Sequence, residues 1–120
     1  MKPAKLNITV YQGSTFTKTF QWSTGNPAVP VDMTGMKIRM HLREKYSSPT
    51  TIIECTTENG RVTITDAAQG RFEVEIAASD TAAMSFKAAV YDIEVVYPQI
   101  PEKVKRLIEG NVALSLEVTR

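Results

Sequence analysis

Among its 120 residues the chain has one cysteine, one histidine and one tryptophan. A single cysteine, Cys55, excludes an intramolecular disulfide and leaves a cysteine-based zinc site without ligands. Cys55 reads instead as a reduced, half-buried strand residue acting as a small hydrophobe. His41 stands between Arg39 and Arg43, whose charges disfavour a bound cation, so it reads as a solvent-facing strand histidine. No Gly-x-Ser-x-Gly elbow surrounds Ser14, Ser79 or Ser115, and no Gly-rich phosphate loop is present. The strand carboxylates alternate as outer-face charge and do not converge on a glycosidase pair. No catalytic residue, metal or cofactor is therefore expected, and the chain is not read as an enzyme.

An excess of one charge is also missing. Net charge is +1, with seven basic and four acidic residues in the first 60 positions and seven and nine in the last 60. That excludes the basic footprint of a nucleic-acid binder and leaves only local patches. No apolar run approaches the roughly 20 residues that cross a bilayer as a helix. The opening Met1-Lys-Pro-Ala-Lys-Leu-Asn-Ile lacks the apolar core of a signal peptide. The expectation is a protein made in a cytoplasm, not secreted on its own signal, with neither nucleic acid nor membrane as partner.

What the chain does have is two-residue alternation. In Val31 to Arg43, Met36, Ile38, Met40 and Leu42 point one way while Lys37, Arg39, His41 and Arg43 point the other. That period marks a strand with one buried and one wet face. Leu6, Ile8 and Val10 alternate with Asn7, Thr9 and Tyr11 in a first strand that stops at Gly13. Phe16, Phe20 and Trp22 share a face of a second, where Lys18 is the exception and is read as exposed near an open edge. Ser23 to Pro27 and Lys45 to Pro49 read as loops.

Thr51 to Thr57 makes a further strand, and Glu58-Asn-Gly60 reads as a hairpin turn into Val62 to Thr65. After a turn at Asp66 to Gly70, Phe72, Val74 and Ile76 alternate with Arg71, Glu73 and Glu75. Ala78 to Ser85 predicts one short helix, capped by Ser79 or Asp80. Ala89, Tyr91, Ile93 and Val95 form the inner face of the next strand, with Asp92 and Glu94 outside. Pro98 and Pro101 bracket the turn at Tyr97 to Glu102. Ile108, Val112, Leu114, Leu116 and Val118 then share a face across Gly110, where a bulge or bend is expected. The whole is about eight strands at the spacing of a small sandwich in one domain, 1–120, with the helix near residues 79–85.

The order of these pieces resembles small immunoglobulin-like β-sandwich proteins encoded among bacteriophage tail and baseplate genes, including the N-terminal domain type of baseplate upper proteins. The residues that carry the resemblance are Tyr11-Gln-Gly-Ser-Thr-Phe-Thr-Lys-Thr-Phe-Gln-Trp22, Val31-Asp-Met-Thr-Gly-Met-Lys-Ile-Arg-Met40, Gly60-Arg-Val-Thr-Ile64, Gly70-Arg-Phe72, Tyr91-Asp-Ile-Glu94 and the closing strand from Arg106 to Arg120. Ser85-Phe-Lys-Ala-Ala89 departs from it, standing where such proteins often place a Gly-rich turn. The resemblance implies an antiparallel immunoglobulin-like sandwich and a virion structural part, present in repeated copies or as a homo-oligomer. Its partners would be other phage structural proteins. An adaptor in tail, baseplate or fibre is one form; a capsid decoration or head-fibre protein is another. A different class, a carbohydrate-binding module, would stack its ligand on Tyr46 and Tyr97.

Residues to test as interface are the basic stripe (Lys37, Arg39, His41, Arg43), the loop aromatics Tyr46 and Tyr97, and the outer apolar positions Val90, Val96 and Leu107. In an immunoglobulin-like order the third and sixth strands are neighbours, which would set Asp92 and Glu94 against the stripe. Tyr91 is expected to bury its ring and hydrogen-bond its hydroxyl to backbone, as in a tyrosine corner. Met1 to Lys5 and Glu117 to Arg120 are the segments expected to order on assembly.

Overall fold

Period-two alternation governs most of the chain, and the computed structural model, which describes residues 2–119, turns it into strands. In order they are β1 (Ala4–Lys5), β2 (Ile8–Tyr11), β3 (Phe16–Gln21), β4 (Ser23–Thr24), β5 (Val29–Pro30), β6 (Lys37–Arg43), β7 (Ile53–Thr56), β8 (Val62–Asp66), β9 (Arg71–Ile76), β10 (Ala88–Val96) and β11 (Val104–Ser115). A 3₁₀ turn, Ala67–Gln69, joins β8 to β9, and one short helix, α1 (Ala78–Ala82), follows β9. The expected all-β sandwich is therefore what the chain forms.

The larger sheet has the order β1-β11-β10-β6-β7, with β2 also on β11; the smaller is β3-β9-β8. The β3-β9-β8 and β11-β10-β6-β7 orders are those of an immunoglobulin sandwich. Pairing is antiparallel throughout, apart from β1 and β2, which both run parallel to β11. The core lies between the sheets, and register builds it in rows. Cys55, Met40, Ile93 and Ile108 stand side by side across four strands of the larger sheet. Phe20 faces Phe72 in the smaller one, their rings stacked with centroids 5.2 Å apart. Cys55 is fully buried rather than half-buried, and burial pushes its thiol up to about 11.

Tyr91 meets the expectation of a buried ring and a backbone-bonded hydroxyl, but its partner lies 85 positions away in sequence, not a few residues upstream as in a tyrosine corner. Its ring is buried and its hydroxyl donates to the Leu6 carbonyl. Burial pushes the phenol up to about 12. Register explains the geometry: Tyr91 stands opposite Gly110, and a Cβ at Gly110 would overlap the same Leu6 carbonyl. Glycine there lets the N-terminal segment press against β11. The bulge itself falls elsewhere, where the β10–β11 register shifts between Ile93 and Glu94.

Other expectations needed correction. Asn59-Gly60 does turn, with Gly60 at φ +83°, but it makes no hairpin. β7 pairs with β6 and β8 with β9, so the turn carries the chain from one sheet to the other. The Asn59 side chain braces that crossing by accepting the Thr56 and Arg61 N–H groups, each at 3.0 Å. α1 has no side-chain cap; Ala77 precedes it, and Asp80 turns to Arg61 at 3.3 Å instead. The helix also ends at Ala82, short of Ser85.

Lys18 is half-buried, because its ammonium folds back over the Phe20 ring at 5.6 Å from the centroid. Leu6 lies outside β2, and Ser23 to Pro27 includes a strand of the small β4–β5 hairpin. Leu116 and Val118 lie beyond the end of β11 and are exposed, not core. Met1 and Arg120, the outermost parts of the segments expected to order on assembly, lie outside the described residues.

Candidate functional site

The outer face of the larger sheet carries most of the candidate residues, and register decides how they meet. Asp92 stands opposite His41, and Glu94 opposite Arg39, as the third-and-sixth-strand expectation required. On the other side of β6, His41 faces Glu54 and Arg39 faces Thr56. The ion contacts, however, mostly bypass Asp92 and Glu94. Arg39 reaches Glu58 at 3.2 Å and Glu102 at 3.9 Å, and His41 Nε2 lies 3.1 Å from Glu54. Arg43 donates to the Ser48 carbonyl at 2.9 Å, tying down the β6–β7 loop. Asp92 is held by Arg106 at 3.4 Å, and Arg106 also reaches Glu109.

Burial works against ionisation of Glu58. The Arg39 hydrogen bond, the backbone N–H and the Arg39 charge outweigh it and hold that carboxyl below the usual carboxylate value. The basic stripe is thus largely engaged within its own surface. At these exposures such pairs contribute about 0–1 kcal/mol each. Lys37 is exposed at the start of β6 and makes no ion pair among the described residues.

An open depression of about 380 Å³ brings His41, Arg43, Tyr46 and Val90 together with Asp92, Glu94 and Arg106. Tyr46 is 69% exposed at its edge. Pairing of β10 with β6 brings Asp92 and Glu94 to the same depression as Tyr46. Val90 is only half-covered and remains an outer-face candidate. The depression offers mixed charge with one exposed aromatic ring, which suits a polar, hydrogen-bonding partner better than a polyanion.

Three candidates fall elsewhere. Val96, 4% exposed, is flanked by Lys37 and Val104 on paired strands and is covered. Leu107 is 7% exposed: it is the extra residue at the β10–β11 bulge, and the bulge turns it into the core. Neither is available as surface. Tyr97 is half-buried, edge-on to Trp22 with centroids 6.5 Å apart, and the Lys103 ammonium covers its ring at 4.5 Å. It serves packing more than stacking with a ligand.

The sequence reading missed the polar stitching at the helix end of the sandwich. The buried Thr81 hydroxyl accepts the Gly13 N–H at 3.0 Å and lies 2.8 Å from the Ser14 carbonyl. Gln12 donates to the Met84 carbonyl and accepts the Glu117 N–H, both at 2.9 Å. These bonds span 67 to 105 positions of sequence, so no local signal announces them. The described residues hold no group of three or more His, Cys, Asp or Glu placed to bind a metal ion.

Comparison with known proteins places residues 2–115 on the family model of the LtfC-like, beta-sandwich domain. No curated protein matches the chain.

Proposed function

The chain belongs to the LtfC-like β-sandwich domain family, and from that premise we propose that it is a bacteriophage virion structural protein. In this reading it is an adaptor that joins tail, baseplate or fibre components through protein–protein contacts in repeated copies. The observation that carries the reading is the distribution of unpaired surface. Tyr11, Leu116 and Val118 are exposed about one end of the sandwich, Ile100 projects fully from the β10–β11 turn, and β3 is an edge strand. Exposed apolar side chains and open edges are what a part needs when its neighbours complete its surface. The polar side chains of the outer face pair with one another instead of converging on a reacting atom, which favours a binding part over a catalytic one.

The test is mass spectrometry of purified particles made by the phage genome that encodes the chain, with cross-linking to identify its neighbours. The expected result is the chain in stoichiometric amount, cross-linked to tail, baseplate or fibre proteins. Its absence from particles would overturn the proposal.

A second reading rests on one observation, the exposed Tyr46 ring beside the polar depression of β6 and β10. Glycan-array binding that is lost in Tyr46→Ala would establish a carbohydrate-binding module. Such a result would displace the adaptor as primary function.

A further inference from the structure

The smaller sheet has a seat that the chain itself does not fill. In an immunoglobulin sandwich the first strand lies beside the second and extends its sheet. Here β1 and β2 both run along β11 in the other sheet. Among the described residues no strand pairs with the free side of β3. Along that side Phe16 and Lys18 are only half-covered. Beside its Gln21 end lies a cleft of about 200 Å³ where Trp22 and Ile108 meet Ala4, Lys2, Lys105 and Arg106, above the buried Phe72 and Leu107. A free six-residue edge beside such a cleft is a template for an added strand.

A segment suited to that seat is present in the same chain. β11 ends at Ser115, yet its alternation runs on: Leu114, Leu116 and Val118 interleave with Ser115, Glu117 and Thr119. Leu116 is 70% exposed and Val118 93%, although this pattern belongs to a strand with an apolar face to bury. In its own copy the segment is held at Glu117, whose N–H bonds to Gln12 and whose carboxylate covers Gly13. That leaves Leu116 and Val118 to solvent. Leu114 and Ser115 stay paired with Val10 and Tyr11 of β2, so the unpaired part is residues 116–119, about 13 Å as a strand and enough to line four of the six residues of β3.

We propose that Leu116–Thr119 of one copy, running on from the end of β11, adds as a strand to β3 of a second copy, seating Leu116 and Val118 over the Trp22 cleft. Docking exchanges the Glu117 contacts for main-chain bonds along β3. Donor segment and acceptor edge are different patches, so reciprocal exchange closes a two-fold dimer, whereas one-way donation runs head to tail into a ring or filament. The inference rests on the adaptor reading and specifies how repeated copies meet.

The test uses the full chain in sedimentation velocity over a concentration series, with hydrogen exchange read at residues 16–21. Wild type is expected to self-associate, and protection of β3 is expected to rise with concentration. The double variant Leu116→Asp/Val118→Asp, at exposed positions that leave the fold intact by circular dichroism, weakens association by more than about a hundredfold. A synthetic peptide of residues 113–119 protects β3 in that variant. Unchanged association of the variant, or a wild type that stays monomeric with unprotected β3, overturns the inference. A monomer with β3 protected assigns the seat to its own tail and also overturns it. A monomeric chain found in purified particles sinks only this inference, whereas self-association of a chain absent from particles sinks only the virion role.

Discussion

Replacing Tyr91 with phenylalanine removes one hydroxyl from the place where three parts of the fold converge. The ring stays buried, so the perturbation is confined to the bond to the Leu6 carbonyl. Losing that donor next to a packed carbonyl is expected to cost roughly 1–3 kcal/mol. The loss falls on the N-terminal segment, which reaches β11 through β1 and β2 on either side of Leu6.

Alkaline pH offers an independent measure. The folded phenol is pushed up to about 12 from an ordinary 10.0 because burial disfavours its anion. The folded state therefore holds this proton more tightly than the unfolded state. The resulting stabilisation is complete below the ordinary value and is lost as pH rises from there through the folded one. Two pH units correspond to roughly 3 kcal/mol. Urea denaturation of both proteins near pH 8 and at steps through this window is the assay. Wild type should be the more stable near neutrality and should fall toward the variant as the window is crossed. Exposed tyrosines are common to both chains and drop out of the difference. Equal stability near neutrality, or a difference that does not shrink with pH, would refute the reasoning.

Gly110→Ala should act on the same joint from the other side. Its Cβ overlaps the Leu6 carbonyl, so a loss of roughly 1–3 kcal/mol is expected, with faster hydrogen exchange confined to residues 4–11. Arg39→Glu places a carboxylate among Glu58, Glu102 and the facing Glu94. A loss of about 1 kcal/mol that shrinks in high salt is expected in urea denaturation, because the pairs are solvent-screened. Cys55, fully buried with its thiol pushed up to about 11, should stay silent to a thiol-reactive dye in the native protein and react only on unfolding. Tyr97→Ala should cost about 1–3 kcal/mol in thermal or urea unfolding by uncovering Trp22, whereas the exposed Tyr46→Ala should change stability by no more than about 0.5 kcal/mol.

Alternation marked the inner faces of the longer strands, because a side chain's face in a strand depends only on its parity. Ile38, Met40 and Leu42 were legible as core, and so were Phe72, Val74 and Ile76, without knowledge of any neighbour. Cys55, Tyr91 and the short helix were legible for similarly local reasons. Only the tertiary structure decided what each strand pairs with. Asn59-Gly60 reads locally as a hairpin and becomes a crossing between sheets, since pairing energy comes from partners far along the chain. One inserted residue in β11 turned Leu107 from presumed surface to core. Register across β7, β6, β10 and β11 gave Arg39, His41 and Asp92 the partners Glu58, Glu54 and Arg106, and set Tyr46 beside a depression of mixed charge. A sequence carries the parity of its own strands, whereas edges, bulges and the strand beside which a charge comes to rest are properties of pairs.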